Sequence, residues 1–395
     1  MVCLGSLTKI PCWLTNMNHL VSPVFSTIHT PSYVLDEAKL LQNLGILKSV
    51  QQHTGCKILL AQKAFSMYAV YPMIAKYLSG TTASGLYEAK LGREEFGGEV
   101  HIFSPAYRED DFSEIVQNAD HIVFNSFAQL KKYQTQCCGK SIGIRVNPEC
   151  STQTHGDIYD PCAPFSRLGV TAAQFDSDAF IGVDGIHFHT LCEQNADALA
   201  VTLAAVEEKF APYLKQCKWV NFGGGHHITR ADYDVPLLEK LLIDFQNKYD
   251  VTVYLEPGEA VALNAGYLVT EVMDIVDNGK KIVLLDASAA CHMPDVLEMP
   301  YRPPLFGSGE ENEKTFSYRL SSCTCLAGDV IGDYSFDEEL HIGDRLCFED
   351  MAIYSMVKNN TFNGIALPDI GILRSDGSYQ VVKRFGYFDF KERLS

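Results

Sequence analysis

Lys63 closes an apolar run in the segment LLAQKAFSMY, residues 59–68. Removing an ammonium from water is costly, so a lysine at the mouth of a buried strand needs a partner or a reason. An amine that is neutral, or tied up covalently, escapes the cost. Other reactive side chains stand in comparable places further along. Arg145 ends IGIR, and His187 and His189 end GIHFH. Gly223, Gly224 and Gly225 follow WVNF, and Glu256 follows VTVYL. A glycine run lets backbone N–H groups close in on a phosphate. A tight turn would use one or two of the three glycines. Glu256 could pair with a heterocyclic nitrogen or cap a helix. His189 could stack on a flat ring or be a satisfied core histidine. Taken together, the amine, the phosphate cradle, the carboxylate and the ring are the parts that pyridoxal phosphate requires.

Eight short β-rich runs carry these residues at their ends. They are residues 57–62, 80–84, 100–104, 121–125, 141–147, 184–189, 219–223 and 251–257. Amphipathic stretches such as 195–217 and 236–249 separate them. Strands alternating with helices predict a (β/α)8 TIM barrel, whose active sites lie at the C-terminal ends of the strands. After about residue 266 the helical period fades, and strand runs joined by turns such as DNGK and SDGS take over. The expected division is an N-terminal extension over 1–29, a barrel over 30–266 and a C-terminal β-domain over 267–395. The segment TPSYVL over 30–35 is expected to join the C-terminal β-domain, so that the first part of the barrel segment is shared with it.

Composition narrows the classes. The 395 residues are 47% hydrophobic and 21% charged, within the globular range. The net charge of −17 argues against nucleic acid and anionic membranes as partners and suits a cationic substrate. No apolar stretch is long enough to span a bilayer. The first thirty residues lack a signal-peptide pattern, Met17 is a second possible start, and a cytoplasmic protein is expected. Thirteen cysteines without a Cys-x-x-Cys pair suggest thiols rather than a disulfide framework or a zinc site.

The motifs AQKAFS, GIHFHTLCE, NFGGGHH, EPGEA, SSCTCLAGD and FEDMAIYS occur in this order. They resemble those of the alanine-racemase-fold, pyridoxal-phosphate-dependent decarboxylases, which include the ornithine and diaminopimelate enzymes. Within that family the carboxynorspermidine/carboxyspermidine decarboxylases are the nearest likeness, from about Thr30 to the C-terminus. The resemblance implies that Lys63 carries the cofactor and His189 stacks on its ring. It implies that Gly223, Gly224 and Gly225 hold the phosphate, that Glu256 pairs with the pyridine nitrogen and that Arg145 sits below the ring. Cys325 would act as the catalytic cysteine across a homodimer interface, with Asp329 close behind it. Tyr354 would reach the phosphate from the partner.

One departure concerns the substrate. Ornithine decarboxylases carry an arginine after EPG, whereas this chain has Glu259. A carboxylate there suits a cationic substrate group, and Asp295, with Glu298, is a second candidate for a polyamine tail. Thr81 or Thr82 replaces the aspartate that follows strand two in ornithine decarboxylase, which argues against ornithine. The expected reaction is decarboxylation of carboxynorspermidine or carboxyspermidine to norspermidine or spermidine, in polyamine biosynthesis. The alternatives are a diaminopimelate- or ornithine-type decarboxylase and a racemase of the same fold. Glu256 and CTCLAGD speak against a racemase, which would place an arginine on the pyridine nitrogen. A metal hydrolase could use the His-x-His pair with His226, His227 and His292, but in such barrels the pair follows the first strand, so no metal is expected. A cofactor-binding module without catalysis would lack the β-domain and Cys325.

Overall fold

A computed structural model describes residues 23–153 and 157–395. Most of the expected extension, Met17 included, lies outside the described residues, and of it Pro23–Ser26 forms a 3-10 turn. The chain divides into two compact units. One comprises residues 37–265 and 352–357, and the other residues 23–36, 266–351 and 358–395.

The first described strand, β1 (Ser32–Asp36), belongs to the second unit. The barrel follows as β2 (Lys57–Ala61), β3 (Gly80–Ala83), β4 (Glu99–Phe103), β5 (His121–Phe124), β6 (Ser141–Arg145), β7 (Gly185–His187), β8 (Trp219–Asn221) and β9 (Thr252–Leu255). All eight pair in parallel, and β2 closes on β9 with Ile58 opposite Leu255. Each of the eight runs read from the sequence is one strand of the closed barrel. The strands are apolar on both faces, as parallel strands covered by helices must be. Helix Ala196–Leu214 begins at the cap Asn195, and helix Val235–Tyr249 at Asp234, whose carboxylate accepts from the Leu237 N–H at 2.9 Å. Asp250 ends the second helix in the left-handed region at φ 55°. The link from β6 to β7 departs from the expected alternation. Its described residues form only two 3-10 turns, Asp157–Tyr159 and Ala172–Gln174, and no α-helix.

Trp219 fills the barrel floor because two neighbouring strands lack side chains there. Gly143 pairs with Gly185, and a Cβ on either would lie 2.4 or 2.2 Å from the indole. The indole N–H donates to the Ser141 hydroxyl at 2.8 Å.

The second unit is a sheet built on β10 (Gly266–Asp277), whose twelve residues pair with different strands along their length. β1 runs antiparallel to β10, and so does β14 (Arg345–Glu349). β11 (Lys281–Leu285) continues the sheet through β12 (Phe316–Ser322) to β13 (Val330–Phe336). On the other side β1 runs parallel to β15 (Asp369–Leu373), which pairs with β16 (Tyr379–Lys383). Phe25, Ile28, Val34, Tyr267 and Val269 form one buried cluster of this unit.

Candidate active site

The C-terminal ends of β2, β6, β7 and β9 open on one cavity of about 510 Å³ within the barrel unit. Lys63, Arg145, His187, His189 and Glu256 all line it. Lys63 lies just beyond β2, where the turn is fixed from both sides. Ala61 donates its N–H to the Pro257 carbonyl at 3.2 Å, and Gln62 donates to that of Thr82 at 3.2 Å. Gly258 passes so close that a Cβ would stand 2.5 Å from that of Ala64. This explains the glycine of EPGEA by packing alone.

The Lys63 side chain reaches into open cavity space, yet protein surrounds that cavity on most sides. Burial lowers its pKa, and the Arg145 guanidinium lowers it further, against the pull of Glu256. Arg145 is buried. Its Nη2 donates to the His189 carbonyl at 3.1 Å, and its guanidinium lies 4.6 Å over the Phe103 ring. Burial lowers its pKa to about 10, so it keeps its charge, and its Nε has no hydrogen-bond partner among the described residues.

Glu256 is buried and held from two sides. The Asn221 amide donates to Oε1 at 2.7 Å, and His187 Nε2 lies 3.3 Å from Oε2. Burial alone would raise the pKa of this carboxyl. His187 and the Asn221 amide outweigh it and hold it at about 2, so Glu256 is an anion. Burial lowers the pKa of His187, which therefore serves as a neutral donor. Burial, with Lys63 and Arg145 nearby, holds His189 well below its ordinary range. The Gly224 N–H donates to its Nδ1 at 3.0 Å.

The three glycines are needed where they stand. Gly223 and Gly225 have φ of 71° and 81°, and added Cβ atoms would meet the carbonyls of Phe188 at 2.5 Å and Leu191 at 2.0 Å. A Cβ on Gly224 would meet the Glu256 carbonyl at 2.5 Å. The loop after β8 is thereby pressed against the ends of β7 and β9.

These residues fit pyridoxal phosphate. Arg145 presents an orphaned buried donor, Glu256 is ionised and faces the cavity, and the Lys63 pKa is depressed toward the neutral amine.

The profile of the family described as "Pyridoxal-dependent decarboxylase, C-terminal sheet domain" matches residues 32–352. The chain belongs to this family. A carboxynorspermidine/carboxyspermidine decarboxylase of Campylobacter jejuni is 45% identical over 93% of this chain and 99% of its own. A carboxyaminopropylagmatine decarboxylase of Synechocystis is 42% identical over 96% and 98%. The crystal structure of carboxynorspermidine decarboxylase from Campylobacter jejuni, complexed with norspermidine, has a TM-score of 0.88 at 44% identity, covering 93% of this chain and 100% of that one. Diaminopimelate decarboxylase from Helicobacter pylori shares the fold, with a TM-score of 0.80 at 18% identity, over 94% and 98%. The chain is thus a pyridoxal-phosphate-dependent carboxy-lyase.

The remaining residues named from the decarboxylase motifs sit as follows. Tyr354 belongs to the barrel unit of its own chain, where its N–H donates to the Ala64 carbonyl at 2.9 Å. This bond sets the Tyr354 main chain one residue from Lys63. Glu259 faces the buried His227, with 3.3 Å between Oε2 and Nε2. Thr81 is buried in β3, and Thr82 lines the cavity. In the β-domain, Asp295 and Glu298 both accept from Lys358. Asp329 is fully buried and accepts from the hydroxyls of Ser288 at 2.6 Å, Ser322 at 2.5 Å and Thr324 at 2.6 Å, and from the Ala290 N–H at 3.1 Å. Three of these donors converge on Oδ2 and one on Oδ1, so Asp329 organises the loop before it. Cys325 in that loop is exposed, and its N–H donates to the Asn363 side chain at 2.7 Å. His292 accepts from the Ser288 N–H and faces the Ala366 carbonyl in the β-domain.

Sequence reasoning left Asn221, Phe103 and Asp160 unnamed. Asn221 carried a signal, since it stands on the last turn of strand before the glycines and faces the same way as Trp219.

Proposed function

We propose that this enzyme decarboxylates carboxynorspermidine or carboxyspermidine to norspermidine or spermidine, as a cytoplasmic homodimer with shared active sites. The observation that carries the reading is the full-length 45% identity to the enzyme of that name, over a cavity equipped with Lys63, Arg145, His189 and Glu256. The thirteen cysteines without a pairing pattern support a reducing compartment. The carboxylated guanidino polyamine of the Synechocystis relative is a second reading, favoured by its 42% identity.

When bound, the cofactor supplies an electron sink for the pair left behind as carbon dioxide departs. Lys63, its pKa lowered by burial and by Arg145, gives up its proton more readily than an exposed lysine and is placed to carry the cofactor and exchange with the substrate amine. The Glu256 carboxylate holds a proton at the pyridine nitrogen, and Asn221 and His187 keep it oriented. His189, neutral and fixed at Nδ1 by Gly224, gives a flat face for the ring. Arg145 supplies positive charge, and the loop of Gly223, Gly224 and Gly225 a close backbone approach, for the cofactor's anionic parts. Tyr354 joins them from the same unit. Cys325 Sγ returns a proton to the α-carbon, and Glu259 and Asp295 serve cationic groups of the substrate.

The test is carbon dioxide release from carboxynorspermidine, carboxyspermidine and carboxyaminopropylagmatine, with ornithine, lysine and diaminopimelate as controls. Preference for either of the first two is expected. Turnover of a control above all three polyamine derivatives would overturn the reading.

A further inference from the structure

We propose that Asp160 binds the distal ammonium of the substrate at the outer wall of the barrel cavity. This rests on the polyamine reading above. A carboxypolyamine substrate carries its amino-acid end to Lys63 and trails an aliphatic tail with ammonium groups. The inner cavity repels such a tail, because Lys63 and Arg145 line it and Arg167 stands further out. The tail therefore needs a carboxylate, and among the described residues the cavity wall has two, Glu256 and Asp160. Glu256 is committed, since Asn221 and His187 hold both its oxygens.

Asp160 is differently placed. Its Oδ1 accepts from the Cys162 N–H at 2.8 Å, which fixes the carboxylate, and Oδ2 and its charge have no partner among the described residues. The wall around it is stiff. Pro161 and Pro164 flank the turn, Ala163 donates its N–H to the Asp160 carbonyl at 3.2 Å, and the Asn147 amide donates to the Pro161 carbonyl at 3.4 Å. Phe165 projects fully exposed from this wall at φ 65°, a backbone conformation rare for a large side chain. Apolar surface beside one anchored, unpaired carboxylate matches methylenes ending in an ammonium. The other carboxylates named for the substrate already have close neighbours: Glu259 lies 3.3 Å from His227, Asp295 meets Lys358 and Asp329 accepts from four groups.

The experiment compares wild type with Asp160→Asn on carboxynorspermidine and on an analogue whose tail ends in methyl instead of an amine. Asparagine still accepts from Cys162, so the turn is kept. Losing a charged hydrogen bond of this kind should raise KM for carboxynorspermidine about ten- to a hundredfold, with kcat and cofactor absorbance near wild type. The analogue's KM should not change between the two proteins, and Asp160→Glu should recover part of the loss. An unchanged KM for carboxynorspermidine, or an equal loss on the analogue, would overturn the assignment of Asp160 alone. A wild-type enzyme that releases no carbon dioxide from carboxynorspermidine would overturn the polyamine reading, and Asp160 with it.

Discussion

The backbone N–H of Gly224 donates to Nδ1 of His189 across 3.0 Å. A ring nitrogen that accepts carries no proton, so the imidazole is neutral with its proton on Nε2. One member of the glycine loop thus orients the ring that faces the cavity, and a single contact joins the ends of β7 and β8. Protonating His189 would break it, and burial makes that protonation costly.

Other buried imidazoles extend this to a stability prediction. Burial lowers His226 and His292 from 6.5 to about 4, and neither ring nitrogen of His226 has a hydrogen-bond partner among the described residues. Here the folded pKa lies below the unfolded one. The stabilising contribution is complete above pH 6.5 and is lost as pH falls toward about 4, because the unfolded chain takes up protons that the fold refuses. Each such group costs up to about 1.4 kcal/mol per pH unit inside that window. Urea midpoints measured across it should fall with pH. A midpoint that stays level would show that these rings acquire partners on protonation.

Lys63 should prove to be the cofactor's attachment point. The purified protein is expected to be yellow, to lose its visible absorbance on borohydride treatment and to carry the reduced adduct on the peptide containing Lys63. The lowered pKa supports this, because a neutral amine is the reactive form. Modification of any other lysine would remove Lys63 from the role.

Much of this site could be read from the sequence because barrel strands are local signals. KILLAQ and VTVYLEP each announce a buried strand and place Lys63 and Glu256 just past its end. Pairing over long distances leaves no such mark. That β1 lies between β10 and β15, more than two hundred residues on, follows from register and burial in the assembled sheet. Partners are equally hidden. Glu259 reads as a free carboxylate until folding brings His227 to it, and Asp329 until three hydroxyls surround it. Asp160 lies in a link without periodicity, so no pattern marked it.

Glu256→Gln should slow turnover about ten- to a hundredfold while affecting cofactor binding far less. The carboxylate is the charged member of the Asn221–Glu256–His187 set, and an amide of the same shape keeps the packing without the charge. The size follows from losing a charge-assisted contact of roughly 1.5–3 kcal/mol in the transition state. Steady-state kcat beside cofactor titration separates the two effects. An unchanged kcat would mean that the ring nitrogen needs no anion here.

The proposed sharing of sites makes the sharpest demand on assembly. Lys63 belongs to the barrel unit and Cys325 to the β-domain, in an exposed loop pinned by Asn363 and by the donors around Asp329. A two-fold dimer is the simplest assembly that would bring one chain's loop to its neighbour's barrel. Lys63→Ala and Cys325→Ala should each be inactive alone. Mixed under conditions that let subunits exchange, half the dimers become heterodimers, and each of these combines both defects in one site and leaves the other whole. Activity should therefore return to roughly a quarter of wild type. If labelled subunits exchange and no activity returns, Lys63 and Cys325 act within one chain, and the two sites are not shared.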